Sequence, residues 1–598
     1  MRIAIALSLA GGLFAAELSP TEYLDYVKYL ASPEMRGRAT GSPELEKAAG
    51  FIRDRFRALG LQPLSGESYF QDFEVTTNSH LGSHNELRYL AGRKKQKLKS
   101  PQDFVPLNLS SAGKISGELV FAGYGITAPE YNYDDYAGLD VKDKIVLLLR
   151  HEPQEFDDKS VFEGRSYTAH SQISSKATNA KMHGAKAVLL VNDAAAHPND
   201  TDQLEKFGTT AGPANAGIEF AQVKVETADK WLALAGKNLA SIEGGIDKDL
   251  HPESFALPAS LHIDLDVDIR REVKTVHNVG AYLPGETSEY VIIGAHYDHL
   301  GLGEQFSMAP SLAGTVHPGA DDNASGTAGV LELAHWFSQE PKHTRGILFL
   351  TFAGEELGLL GSAYYASHPV LPLNQAVTMI NMDMIGRVRD DKIYVGGVGS
   401  GTTFAGLLKQ IGAHHSLQTD VTERAGYGSS DHTSFTAKQV PVLFFFSGLH
   451  ADYHKPSDTW DKIDAPDAVQ VLSLIADVTD HLRDEQTRPQ FVRVVEPAPP
   501  AGAHTGKVSG YGPDFGSIPD FTELPNGVRF ADIRPGSPAA KAGLRAGDIL
   551  IEFDGKAIQN LYDFTYALRA KQPGQQVLVK VLRDGKTIEA NVLLTQRK

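Results

Sequence analysis

Cysteine is absent from the 598 residues of this chain. Its absence excludes disulfide bonds, catalysis by a thiolate, zinc sites with cysteine ligands and anchoring through a lipid-modified cysteine. Basic residues are also scarce, because 57 lysines and arginines stand against 74 aspartates and glutamates and the net charge is −17. Nucleic acids and anionic membranes are bound through basic surface, so the sequence disfavours both as partners.

Long hydrophobic runs are also lacking beyond the N-terminus. The apolar run over residues 3–16 follows Arg2 and is too short to cross a bilayer as a helix, but it has the length of a signal peptide. We therefore expect residues 1–16 to be removed and the protein to be secreted or periplasmic, with no transmembrane segment. A buried N-terminal strand or helix is the alternative.

The length of the chain is too great for one hydrophobic core and predicts several domains. We divide it into a main domain over residues 17–115 and 265–490, an insertion over residues 116–264, and a small β-rich domain over residues 507–598. Residues 491–506 are rich in proline, alanine and glycine and read as a linker.

The main domain has an α/β pattern from residue 277 onward. Continuous apolar runs at 290–296, 346–354, 376–384 and 440–448 have the character of buried strands, and helical patterns at 325–340 and 356–368 alternate with some of them. Buried strands that alternate with helices predict a mixed, mostly parallel sheet covered by helices on both faces.

Histidines and carboxylates stand at the predicted strand ends. His296, Glu355, Glu356 and Asp383 each end or follow such a run, and ligands gather at the carboxyl ends of strands in open α/β sheets. Each also has an ordinary role open to it, such as packing, helix capping or a turn. Together, imidazoles and carboxylates suit zinc or a similar divalent ion better than magnesium or calcium, which prefer oxygen ligands.

Five motifs, in order, resemble the zinc aminopeptidases of peptidase family M28 over about residues 270–485. They are "GAHYDHLG", "GADDNASG", "FAGEELGLLGS", "NMDMIGR" and "YHKPSDTWDKI". The resemblance implies two zinc ions per chain, held by the following ligands: His296 and Asp383 on one ion, Glu356 and His454 on the other, and Asp321 between them. It also implies that Asp298 supports an imidazole ligand.

The adjacent glutamates of the third motif need different roles, because a carboxylate committed to a metal cannot also take up a proton. We expect Glu356 to bind metal and Glu355 to be the general base that takes a proton from the attacking water and passes it to the leaving amine. Tyr453 matches a position where some members of the family carry a tyrosine able to donate to the developing oxyanion, with packing as its alternative. Asp431, in "GSSDHTSF", is expected to support the site or position substrate.

The two other domains also resemble known modules. Residues 116–264 are similar to a protease-associated (PA) domain, which covers the cleft, selects substrates or simply stabilises the fold. Residues 507–598 resemble a bacterial-type PDZ domain, which binds a peptide or protein C-terminus as an added strand. The expected carboxylate-binding loop at Phe515 and Gly516 departs from the usual form, so packing within the chain is the alternative.

These observations predict a secreted or periplasmic exopeptidase that removes N-terminal residues from peptides with zinc-activated water. Acidic residues dominate the motifs, which favours binding of a free ammonium group over a terminal carboxylate. A carboxypeptidase or glutaminyl cyclase of the same fold is an alternative, and so is a non-catalytic binding protein that uses the PA and PDZ modules.

Overall fold

The computed structural model describes residues 17–494 and 513–595. It omits positions 158, 165–166, 194–196, 198–201, 209, 211–212, 305, 422–425, 427, 429, 520–523, 525 and 535. The predicted signal peptide and most of the predicted linker lie outside the described residues. The chain divides into two compact units, one of residues 1–73 and 275–495 and one of residues 74–274 and 496–598. Within the described ranges, no helix combines the length and apolar character that a bilayer crossing needs.

The first unit is built on a nine-stranded mixed sheet. Its strands, in spatial order, are Gln62–Pro63, Ile269–Leu283, Gly346–Phe352, Tyr290–His296, Ala376–Met382, Val442–Phe446, Lys392–Gly396 and Gln418–Asp420, and Phe70–Leu81 pairs with Ile269–Leu283. The central strands run parallel to one another, while Ile269–Leu283 and Lys392–Gly396 pair antiparallel with their inner neighbours. The strand predicted at 290–296 has those bounds, and the other three predicted strands are each slightly shorter.

Helices cover both faces of this sheet. They are Pro20–Leu30, Pro43–Ala58, Gly326–Ser338, Leu360–Ser367, Phe404–Gly412, His432–Thr436 and Ala465–Asp484. Successive residues of a strand point to opposite faces of the sheet, so residues three positions apart also face opposite sides. Phe349 meets Phe56 on one face, with ring centroids 6.2 Å apart, and Phe352 meets Phe435 on the other at 5.9 Å. The predicted mixed α/β fold with helices on both faces is confirmed.

The second unit contains another nine-stranded sheet. Its strands, in spatial order, are Lys94–Lys99, Glu86–Ala91, Leu261–Val267, Gly113–Ala122, Ile145–Leu149, Ala187–Val191, Glu219–Val223 and Phe104–Pro106, and Ser254–Ala256 pairs with Gly113–Ala122. The helices beside it are Ile173–Met182, Val225–Leu232 and Leu239–Asp249. The strands from Gly113–Ala122 to Glu219–Val223 run parallel.

The first strands of this sheet differ from the predicted domain division. Residues 86–106 were expected in the main domain, but Glu86–Ala91 pairs with Leu261–Val267 and Phe104–Pro106 pairs with Glu219–Val223. The reason is long-range pairing. Lys94–Lys99 is a mostly exposed, lysine-rich edge strand, and its composition does not predict which sheet it joins.

The C-terminal part of the second unit forms a small six-stranded sheet. Its strands are Ser517–Pro519, Val528–Ile533, Ile549–Phe553, Lys556–Ala557, Gln576–Arg583 and Lys586–Leu593, and its helices are Pro538–Lys541 and Leu561–Arg569. Phe515 is buried in its core and packs edge to face on Phe564, with ring centroids 5.2 Å apart.

One helix of this C-terminal sheet packs on a helix of the preceding sheet. Lys181 on Ile173–Met182 forms an ion pair of 2.7 Å with the buried Asp563 on Leu561–Arg569. Met182 packs against the core of the C-terminal sheet. A buried ion pair and an apolar contact therefore join these two sheets within the second unit.

Candidate metal centre

The predicted residues at strand ends meet at one edge of the first sheet. His296 ends its strand opposite Phe352, and Glu355 and Glu356 follow Phe352 within four residues. Asp383 directly follows the strand Ala376–Met382 on the other side of His296. Because these strands are parallel, their carboxyl ends lie at the same edge.

One group of side chains surrounds His296. Its Nε2 atom lies 3.5 Å from Asp383 Oδ1, 3.9 Å from Glu355 Oε2 and 3.4 Å from Asp322 Oδ1. His296, Glu355 and Asp383 together offer donor atoms close enough to share one metal ion.

A second group surrounds Glu356. His454 Nε2 lies 3.1 Å from Glu356 Oε2 and 3.2 Å from Asp322 Oδ2. His299 Nδ1 lies 2.6 Å from Glu356 Oε1, and His299, Asp322 and Glu356 form another set able to share an ion. Asp322 directs one oxygen to each group and so lies between them.

The structure corrects the assignment of Asp321 as the bridging ligand. Asp321 Oδ1 accepts a hydrogen bond of 2.7 Å from the Gly386 backbone, and its Oδ2 lies 3.1 Å from His450 Nε2. Asp322 has non-helical backbone angles within residues 320–325, φ −102° and ψ 99°, which turn its side chain rather than that of Asp321 towards His296 and His454. Sequence alone does not distinguish two consecutive aspartates.

Burial and opposite charges shift the acid–base properties of the centre. Burial raises the pKa of Glu355 well above its ordinary value, and Glu356 and Asp383 add to the shift against the effect of His296. Burial would lower the pKa of His296, but the carboxylates of Glu355 and Asp383 outweigh it and raise that pKa well above its ordinary value.

The adjacent glutamate shifts in the opposite direction. Burial would raise the pKa of Glu356, but His299 and His454 outweigh it and hold that pKa well below its ordinary value. The pKa of His454 rises to about 10, because Asp322 and Glu356 overcome the effect of burial. The two glutamates therefore differ in their surroundings: Glu356 is held by imidazoles, while the closest ion-pair contact of Glu355 is the 3.9 Å approach to His296.

The donor set fits a divalent metal such as zinc. Imidazole nitrogens and carboxylate oxygens are common zinc ligands, and four carboxylates lie within this buried centre, those of Asp322, Glu355, Glu356 and Asp383. So many neighbouring carboxylates cannot all be ionised without nearby positive charge. Two imidazoles in contact with Glu356 and one in contact with Asp383 supply part of it, and a bound cation would supply the rest.

The predicted supporting residues lie around the centre. Asp298 accepts hydrogen bonds from Thr40 Oγ1 at 2.8 Å and from the Glu355 backbone at 3.1 Å, and its own carbonyl lies 3.3 Å from His296 Nδ1. It thus holds Glu355 in place as well as lying beside His296.

Asp431 and Tyr453 also lie near the charged cluster. Burial raises the pKa of Asp431 to about 7, and the charge of His296 acts against that rise. The Tyr453 ring stacks on the His454 ring, with centroids 3.9 Å apart, and burial together with the carboxylates of Asp322 and Glu356 raises its pKa well above the ordinary value.

The sequence analysis did not predict two residues of the centre, His299 and Asp458. His299 is buried against Glu356, and its position three residues after His296 was the available signal. Asp458 accepts hydrogen bonds from the backbone of Asp321 at 3.0 Å and of Asp322 at 3.1 Å, which holds the bridging segment. Arg387 pairs with Asp452 at 2.7 Å.

Comparison with known proteins agrees with the motifs. The aminopeptidase YwaD of Bacillus subtilis (strain 168) is 26% identical over 404 residues, which are 64% of this chain and 74% of that protein. A probable leucine aminopeptidase of Arthroderma otae (strain ATCC MYA-4605 / CBS 113480) is 30% identical over 208 residues, 33% of this chain. The match spans 55% of that protein.

A solved structure and three family models complete the comparison. The aminopeptidase from Aneurinibacillus sp. strain AM-1 aligns with a TM-score of 0.48 and 24% identity, over 81% of this chain and 97% of its own. Residues 115–231 match the PA domain model, residues 278–479 the model of peptidase family M28, and residues 517–594 a PDZ domain model. Residues 278–479 thus resemble peptidase family M28 and lie between the matches to a PA domain and to a PDZ domain, so the predicted resemblance to these three families, in this order, is confirmed.

Proposed function

We propose that this chain is a zinc-dependent aminopeptidase that removes single residues from the free N-termini of peptides. The observation that carries the proposal is Asp322, whose two carboxylate oxygens face two separate groups of histidine and carboxylate donors. Two zinc ions would be held there, one by His296 and Asp383, one by Glu356 and His454, with Asp322 between them.

The two adjacent glutamates are proposed to have different roles in this site. When bound, zinc lowers the pKa of the attacking water and polarises the scissile carbonyl. Glu355, whose carboxylate is not held by an imidazole at hydrogen-bond distance, takes the proton of the water and delivers it to the leaving amine. Asp298 fixes the backbone of Glu355, so the base stays at the strand end beside His296.

Tyr453 is proposed to stabilise the negative charge that develops on the carbonyl oxygen. Its ring lies on His454, and the pKa of its hydroxyl is raised, so it remains a protonated donor at neutral pH. Asp431 is proposed to support the ligands beside His296. These roles divide the chemistry into ligands, a base and a donor, as hydrolysis of an amide requires.

The charge around the centre supports cleavage at the N-terminus. A carboxypeptidase needs an available cation for the substrate carboxylate, usually arginine or lysine. Arg387 is paired with Asp452 at 2.7 Å, and Lys455 donates to the Ala451 carbonyl at 2.8 Å. Similarity to an aminopeptidase of Bacillus subtilis and to a probable leucine aminopeptidase of Arthroderma otae supports the same direction. The match covers only 55% of the Arthroderma otae protein, so that similarity does not extend to the side-chain preference of this chain.

Export and ligand binding by the PDZ domain are parts of the same proposal. The apolar run over residues 3–16 supports secretion or a periplasmic location, and N-terminal sequencing of exported protein tests it. A peptide or protein C-terminus is proposed as the ligand of the PDZ domain.

The test of the proposed activity is the direction of cleavage. The zinc-loaded chain is incubated with one peptide in three forms: unblocked, acetylated at the N-terminus, and amidated at the C-terminus. Mass spectrometry should show loss of N-terminal residues from the unblocked and amidated forms, while the acetylated form resists. Cleavage of the acetylated form with resistance of the amidated form would contradict the aminopeptidase proposal and leave the metal centre in place.

A further inference from the structure

A second group of histidines and carboxylates lies in the PA domain, at the carboxyl edge of its parallel strands. The strands Ile145–Leu149 and Ala187–Val191 pair in parallel, with Leu149 opposite Val191. His151 and Asp193 each follow their strand by two residues, so they leave the sheet side by side. This edge is where open α/β sheets bind ligands.

Two more side chains complete the group, each four residues further along its loop. His151 Nδ1 lies 2.9 Å from Asp193 Oδ1 and 3.7 Å from Glu155 Oε2. His197 Nε2 lies 2.8 Å from Glu155 Oε2. Each of the four residues offers one donor atom, and all four atoms lie within 4.8 Å of one another. We call these four residues the PA cluster.

The carboxylates of the PA cluster are buried, and each is oriented by a second contact. Glu155 is 5% exposed and Asp193 is 1% exposed, whereas both imidazoles are 22% exposed. The Tyr167 hydroxyl donates to Glu155 Oε1, and the His151 backbone donates to Asp193 Oδ2 at 3.2 Å. The oxygens that these donors leave available face the imidazoles. Ligands of bound metals are commonly held by such outer contacts.

The loop that carries His151 and Glu155 is also anchored. The Gln154 backbone donates to Asp247 Oδ1 at 2.9 Å, and the Gln154 side chain donates to the Asp247 carbonyl at 2.8 Å. The Tyr167 ring stacks on the His151 ring, with centroids 5.3 Å apart and planes 6° from parallel. The donors are therefore held near one another before any ion binds.

The spacing of the donors suits a tetrahedral ion. With metal–ligand bonds of about 2.0–2.1 Å, the ligand atoms of a tetrahedral zinc site lie about 3.3 Å apart. The distances of 2.8, 2.9 and 3.7 Å within the PA cluster lie around that value. In the candidate metal centre, His454 lies 3.1 Å from Glu356 and His296 lies 3.5 Å from Asp383, which is the same range.

We propose that the PA cluster binds a zinc ion through His151, Glu155, Asp193 and His197. Two imidazoles and two carboxylates match zinc, while calcium and magnesium prefer sites made of oxygen alone. Four protein ligands leave no position for substrate, so this ion is structural. It would tie together the loops after two neighbouring strands and stabilise the PA domain against unfolding.

The test is a difference in zinc content between full-length variants. Wild type and His197→Gln are equilibrated with zinc, freed of unbound ion by gel filtration, and analysed by plasma mass spectrometry. Wild type should hold about one zinc ion per chain more than His197→Gln, the stoichiometry of a four-ligand structural site. Hydrolysis of amino-acid anilides should be equal in the two. Because the readout is a difference, it does not depend on how many ions the candidate metal centre holds.

His170→Gln is the matched control, because His170 in the same domain pairs with Glu130 at 2.8 Å and belongs to no group of possible ligands within the part of the chain that the structure describes. It should bind as much zinc as wild type. A folded His197→Gln chain with the zinc content of wild type would overturn the proposal and leave the PA cluster as hydrogen-bonded ion pairs.

If His197→Gln does not fold, the unaltered PA cluster decides the question. The triple variant Asp322→Asn, Glu356→Gln, Asp383→Asn removes a carboxylate from both donor groups of the candidate metal centre. It is titrated with Co²⁺, whose visible absorption bands report tetrahedral coordination. Tetrahedral bands that saturate at about one ion per chain support the proposal. Their absence overturns it.

Discussion

Replacing Glu355 by glutamine is the sharpest test of the candidate metal centre. The substitution keeps the shape of the side chain and removes its ability to take up a proton. Glu355 makes its closest ion-pair contact with His296 at 3.9 Å, and its backbone is held separately by Asp298, so the substitution should leave the fold and the ligand positions unchanged.

The expected effect is on turnover and not on metal binding. Loss of a general base lowers kcat by about 10²–10⁴-fold, which corresponds to about 3–5 kcal/mol in the activation free energy. We expect Glu355→Gln to hold the same amount of zinc as wild type and to hydrolyse an amino-acid anilide at least ~10²-fold more slowly. Zinc is measured by plasma mass spectrometry and kcat by release of the aniline at saturating substrate.

Glu356→Gln is the matched control, since it makes the same chemical change one residue further on. Glu356 contacts His299 at 2.6 Å and His454 at 3.1 Å, and we expect its substitution to weaken zinc binding by more than the ~10–100-fold typical of a residue that only supports a ligand. Loss of zinc from Glu355→Gln, or turnover near that of wild type, would refute the division of roles between the two glutamates.

Two further outcomes are expected. Asp322→Asn should reduce the zinc content, because Asp322 faces both donor groups. Asp321→Asn should bind zinc almost as wild type does, because Asp321 contacts Gly386 and His450 instead. Equal losses of zinc in the two variants, measured by metal analysis, would contradict the bridging role of Asp322. A chain that ends at residue 495 should still hydrolyse anilides, because every proposed catalytic residue precedes that point; a soluble, zinc-loaded truncation without activity would show that the PDZ domain takes part in catalysis.

The sequence by itself determined the central sheet, the order of the domains and the edge at which the candidate metal centre lies. Strands buried on both faces require continuous apolar runs, so the run at 290–296 could be read directly and has those bounds in the structure. A histidine or carboxylate at the end of such a run must lie at the edge of the sheet. The positions of His296, Glu355 and Asp383 at this edge therefore follow from the sequence without knowledge of any contact.

Tertiary structure alone decided which side chains complete each site. Asp321 and Asp322 are adjacent and chemically identical, and only the backbone angles of the segment 320–325 direct one of them towards the donors. His151 and Asp193 are far apart in the chain and become neighbours because their strands pair in register. Residues 86–106 join the nine-stranded sheet of the second unit for the same reason, because Glu86–Ala91 and Phe104–Pro106 pair with strands that lie more than a hundred residues away. A local sequence pattern predicts where a strand ends, but the folding of the whole chain determines which residues lie beside the end of that strand.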